Sequence, residues 1–188
     1  MTEVLLFHHA QGLTAGCLAF AETLRAAGHV VHTPDLYDGN TFAELDAGIA
    51  YASGVGFDTI RKRGVLAAEA LPDALVYAGF SLGAMPAQQL AQSRPGAKGA
   101  FLMHAAIPPA EFGSPWPPGL PLQIHTMTDD ELGDADVASE LATSIDEAEV
   151  FLYPGDKHLF TDNSLAAYDA DAAVLVEERA LAFLDRIG

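Results

Sequence analysis

The sequence predicts an α/β protein built on a parallel sheet with helices on both faces. Three observations carry that expectation. Short apolar runs of strand length alternate with helix-length segments along the chain. The runs read as buried strands, as expected when both faces of a sheet are covered. One of them hands over to a helix through Gly79-Phe-Ser-Leu-Gly83, a turn that sets a serine between two glycines. The 188 residues, with no internal repeat, are expected to form one domain, 1–188, large enough for a real core.

The elements follow in order. Glu3–His9 is a short apolar run and reads as the first strand. Thr14 is suited to cap a helix that runs through Leu18, Leu24 and Ala27 and is closed by Gly28. His29–Thr33 is the next strand, stopped by Pro34, and helical stretches follow around 42–53 and 57–71. The strand Leu75–Gly79 enters the serine turn, and the helix beyond it ends near Pro95. Lys98–His104 and Pro121–Thr126 are the fourth and fifth strands. Between them, residues 105–120 hold five of the eleven prolines and the single tryptophan, too much proline for a regular element, so a surface loop is expected. A helix near 134–145, the strand Glu149–Tyr153 and a last helix from about Ser164 to Ile187 complete the chain.

Charge and composition exclude several functions. With 26 acidic residues against 9 basic, the net charge of −17 repels nucleic acid and anionic membrane surfaces, so neither is an expected partner. Arg61, Lys62 and Arg63 sit together and are expected to form a solvated helix face in preference to a small anion site. No apolar stretch is long enough for a membrane span, and the opening lacks the basic region of a signal peptide. The lone Cys17 cannot form an internal disulfide, suits a reducing cytosol and reads as a small buried hydrophobe, so a cytoplasmic location is expected. No G-x-G-x-x-G follows the first strand, which argues against a dinucleotide cofactor. The seven histidines do not suggest a metal: His8 and His9 are neighbours on a strand and point to opposite faces, and no His-x-x-x-His or Cys-x-x-Cys spacing occurs. No cofactor is expected.

The serine turn carries chemistry if two partners exist. In G-x-S-x-G the serine stands on a strained strand-to-helix turn with its hydroxyl above the sheet, and side chains at the glycine positions would strike the neighbouring strand and helix. Ligands of parallel sheets bind beyond the carboxyl ends of the strands. There a nucleophilic serine needs a base and a carboxylate to orient that base, in the chain order serine, acid, histidine. Ser81 is the nucleophile candidate and His158, in Tyr153-Pro-Gly-Asp-Lys-His-Leu-Phe160, the base. Asp129 and Asp130 both follow the fifth strand and either could be the acid. His104 and His125 also fall at strand ends, in pocket-lining or structural roles, and Phe112 and Trp116 are candidates to wall an apolar acyl pocket.

Five stretches in the correct order make the chain resemble the dienelactone hydrolase family over nearly its whole length. They are Leu6-Phe-His-His-Ala-Gln-Gly12, Gly28 with Pro34-Asp-Leu-Tyr37, the serine turn, Pro121–Asp130, and Pro154-Gly-Asp-Lys-His-Leu-Phe160. The resemblance implies a trimmed α/β-hydrolase fold of about six mostly parallel strands flanked by helices on both faces, with little room for a large lid. It favours Asp130 over Asp129 as the acid. It also implies an oxyanion hole from the backbone N–H of Leu82 and a second from Ala10, or Gln11 one step on. Dienelactone hydrolases proper carry cysteine at the Ser81 position and a glutamate where this chain has His9, so their substrate is not transferred. Serine is the weaker nucleophile and depends more on its base. The expected function is hydrolysis of a small carboxylic ester, lactone or thioester through an acyl-enzyme, with no cofactor. The competing reading is a non-catalytic binder of a small molecule or partner on the same fold. Dimerisation would be in keeping with a compact hydrolase.

Overall fold

The computed structural model describes residues 1–188. Six parallel strands form one sheet: β1 (Glu3–Phe7), β2 (Val30–His32), β3 (Val76–Phe80), β4 (Gly99–Met103), β5 (Leu122–Met127) and β6 (Ala148–Tyr153). Their spatial order is β2-β1-β3-β4-β5-β6. The chain therefore steps outward from β1 to β2 and returns to the other side of β1 for β3. The gap between β1 and β3 is the switch point at which such sheets build ligand sites.

Six helices cover the sheet: α1 (Ala15–Ala26), α2 (Leu45–Val55), α3 (Phe57–Ala67), α4 (Ala84–Ser93), α5 (Ala135–Ser144) and α6 (Ala170–Ile187). Alternation along the strands divides the core in two. Leu5 and Phe7 of β1, Tyr77 of β3 and Leu102 of β4 face α2, α3, α4 and α5. Val4 and Leu6, Val76 and Phe80, and Phe101 and Met103 face α1 and α6, against Phe20, Leu24, Val176 and Phe183. Both faces are buried, which is why β1, β3 and β4 read as unbroken apolar runs.

The expected caps of the first helix are present: Thr14 Oγ1 accepts from Cys17 N at 3.2 Å, and Gly28 beyond the end has φ 95°. Three expectations are corrected. The last helix starts at Ala170 and not near Ser164, because the Ser164 side chain is bonded to Asp162 while Asp169 caps the helix at Ala172 N. The 57–71 helix stops at Ala67. The 105–120 segment is not wholly a surface loop. Residues Pro109–Phe112 form a helical turn, and Trp116 is buried, with Nε1 donating to Leu120 O at 2.8 Å. No helix is long and apolar enough to cross a membrane.

Candidate active site

β3 ends at Phe80, and Ser81 follows with φ 47°, in the left-handed region where a residue bearing a side chain is strained. The glycines make this turn feasible. A Cβ on Gly83 would overlap the carbonyl oxygens of Phe7 at the end of β1 and of His8 just beyond it, and one on Gly79 would overlap the Gly83 backbone. The turn thus packs directly against β1 and holds the Ser81 hydroxyl beyond the sheet.

Three side chains from three strand ends converge there. The Ser81 hydroxyl lies 2.8 Å from His158 Nε2, and His158 Nδ1 lies 2.7 Å from Asp130 Oδ2. The carboxylate accepts a hydrogen bond from Nδ1–H, which selects the tautomer whose Nε2 accepts from the serine. Asp130 Oδ1 accepts from Leu132 N at 3.0 Å, and Asp130 is buried while Asp129 is exposed. Asp129 makes its side-chain contact with its neighbour Thr128 and none with His158. Of the two carboxylates, the structure brings Asp130 to the histidine.

On the β1 side, Gln11 N lies 3.2 Å from His9 Nδ1, turned toward that ring. Ala10 lines the cavity beside Ser81 and Leu82, and Gln11 does not. Leu82 N–H belongs to the first turn after β3, where backbone donors lack partners within the helix.

The cavity over Ser81 has a volume of about 490 Å³. Leu45, Ile49, Phe57, Met85, Ile107 and Phe112 give it apolar walls. Phe112 lines it as expected, whereas Trp116 does not; it packs into the core instead. Arg61 reaches the cavity wall, so the basic cluster is not simply a solvated face. Asp134 also lines the cavity, and burial together with the Asp130 charge raises its pKa.

The other histidines are structural. Nδ1 of His8 donates to His9 O at 2.8 Å and its Nε2 accepts from Leu36 N at 2.9 Å; burial lowers its pKa to about 4. His125 is held between Tyr153 and Gln123, and burial lowers it to about 3. His104 bonds Thr161 Oγ1 at 2.7 Å, and burial keeps it neutral. Neither His104 nor His125 lines the cavity.

His9 has a partner that sequence spacing did not reveal. Its Nε2 lies 2.7 Å from Asp162 Oδ2, and both residues are buried. Cys17 stands beside them, and the ligand-type atoms of the three residues lie within 4.8 Å of one another. The His9–Asp162 separation is that of a direct charge-assisted hydrogen bond. The trio therefore reads as a bonded ion pair with a buried thiol at its side. The pair ties the loop after β1 to the loop that carries His158.

A strained turn after a central parallel strand, with a serine, a histidine and an acid meeting beyond the sheet, defines an α/β-hydrolase fold. Within that class, the sequence matches the dienelactone hydrolase family over residues 1–188, and the chain belongs to that family, which places it among hydrolases. No curated protein matches the sequence. Among solved structures, dienelactone hydrolase from Anabaena variabilis superposes with a TM-score of 0.73 at 18% identity, covering 99% of this chain and 87% of that one. A dienelactone hydrolase-like promiscuous phosphotriesterase from metagenomic libraries also scores 0.73 at 18% identity, covering 100% and 87%. The esterase domain of a Rhodothermus marinus protein scores 0.65 at 18% identity, covering 100% and 88%. At these identities the likeness speaks for the fold.

Proposed function

We propose that the protein is a serine hydrolase of small carboxylic esters, lactones or thioesters, working through an acyl-enzyme. The observation that carries this is the continuous relay from the Ser81 hydroxyl through His158 to Asp130, opening on an apolar cavity. Ser81 Oγ attacks the carbonyl carbon while its proton passes to His158 Nε2, and Asp130 stabilises the imidazolium. The oxyanion accepts from the N–H groups of Leu82 and Ala10. On collapse, His158 returns the proton to the leaving oxygen or sulfur and the acyl group stays on Ser81. Water, deprotonated by His158, then attacks the acyl-enzyme; the acid product leaves and Ser81 regains its proton. Each step is a proton transfer or an acyl transfer, so the protein's own groups suffice.

Hydrolysis of p-nitrophenyl acetate by wild type and Ser81→Ala tests the reading. Loss of the nucleophile should lower kcat by about four orders of magnitude or more. Equal rates in the two proteins would overturn it.

A further inference from the structure

We propose that the cavity above Ser81 is an acyl pocket for an uncharged, apolar chain of medium length, and that it rejects substrates with a carboxylate in the acyl portion. The proposal rests on the serine hydrolase reading above.

Topology decides which part of an ester lies where. The group that leaves must stay within reach of His158, which returns its proton. His158 comes from the loop after β6, and its cavity neighbours Leu132 and Asp134 come from the loop after β5, at one side of the sheet. The opposite wall is Leu45 and Ile49 of α2 and Phe57 of α3, which the chain builds between β2 and β3. An ester seated on Ser81 with its leaving group toward His158 therefore directs its acyl chain toward α2 and α3. Met85 of α4 also lines that space, and it is far larger than an acetyl group fills.

The charges around this space point the same way. Arg61 is the guanidinium in the wall, but it is already bonded to Asp58, three residues earlier on α3, and to Gln89 of α4. Two of its donors are engaged, and its charge partner Asp58 also pairs with Lys62. Glu111 also lines the cavity, and Asp134 lines it on the His158 side, in a chain of net charge −17. A substrate carboxylate entering here would shed water, find the one guanidinium of the lining already bonded, and share the cavity with two acids. An apolar chain incurs none of these costs. Each methylene it buries should raise kcat/KM by up to about fourfold.

The test is kcat/KM for p-nitrophenyl esters from acetate to octanoate, with the p-nitrophenyl monoester of succinic acid as the anionic member. Wild type, Ile49→Trp and Phe57→Ala are compared, with fluorophosphonate labelling of Ser81 run on the same samples. The proposal expects kcat/KM to climb from acetate to a maximum at butanoate or longer. It expects the succinate monoester to fall about tenfold or more below the pentanoate ester. Ile49→Trp, which fills the pocket, should move the maximum toward acetate, and Phe57→Ala, at a half-exposed position that does not hold the fold together, should move it toward longer chains. If Ser81 labels but acetate is the best substrate, or the succinate monoester matches pentanoate, the acyl pocket is overturned while the nucleophile stands. If Ser81 does not label and no ester turns over, the serine hydrolase reading fails and the pocket assignment fails with it.

Discussion

Replacing Asp162 with asparagine should cost this protein roughly 3–5 kcal/mol, the penalty for removing one partner of a buried ion pair. Asp162 is 2% exposed and His9 0%. One carboxylate oxygen faces His9 Nε2 at 2.7 Å and also accepts from Thr14 Oγ1; the other accepts from the N–H and hydroxyl of Ser164. Burial opposes protonation of His9, but its contacts with Cys17 and with the Asp162 carboxylate outweigh it and raise its pKa to about 9. At neutral pH the variant would strand a buried imidazolium or force it to give up its proton. For a chain of this size each kcal/mol moves Tm by about 2–4 °C, so the melt should fall by roughly 6–20 °C. The assay is thermal unfolding followed by circular dichroism, with exposed Asp129→Asn as a control expected to stay within about 0.5 kcal/mol. The pH dependence has a definite sign. A folded-state pKa raised above the unfolded value of about 6.5 contributes stability that is complete below that value and is lost as pH rises through about 9. The gap between wild type and Asp162→Asn should therefore narrow by pH 10. An Asp162→Asn melt within about 2 °C of wild type at pH 7, or a gap unchanged at pH 10, would refute the reasoning.

Gly16→Ala should destabilise by about 1–3 kcal/mol in the same melt, because its Cβ would overlap the Asp162 carboxylate seated at the start of α1. Asp130→Asn should lower kcat by on the order of 10⁴ in an ester assay, since His158 loses the acceptor that sets its tautomer, whereas Asp129→Asn should leave kcat near wild type. Acidification from neutral pH should spare the His9–Asp162 pair until well below the usual carboxylate range: Asp162, although burial opposes its ionisation, is held low by hydrogen bonds from His9, Ser164 and Thr14. The melt of wild type against Asp162→Asn between pH 7 and pH 5 should show a gap that does not shrink as pH falls.

The strands were legible because a sheet buried on both faces writes itself as apolar runs, and β1, β3 and β4 are nearly pure examples. The serine turn was legible because its glycines are required by close backbone contacts, Gly83 against Phe7 and His8 and Gly79 against Gly83. What escaped the sequence was mostly a matter of partners. Asp162 is a loop acid four residues after His158, and nothing in its local pattern says that His9, from the far side of the chain, fills its pocket. The same contact network consumed Ser164, which is why a plausible helix start there gave way to Asp169. Trp116 sits in a proline-rich run that looks exposed, yet its indole finds Leu120 O within the same segment and turns inward. Arg61 read as one of three solvated cations because spacing along α3 does not show which of them reaches the cavity formed with α2 and α4.

The central claim is that Ser81 is a nucleophile activated by His158. Intact-protein mass spectrometry after brief exposure to a fluorophosphonate tests it most directly. One adduct should form, map to Ser81, vanish in Ser81→Ala and form far more slowly in His158→Ala. An unmodified protein, or an adduct that persists in Ser81→Ala, would contradict the account.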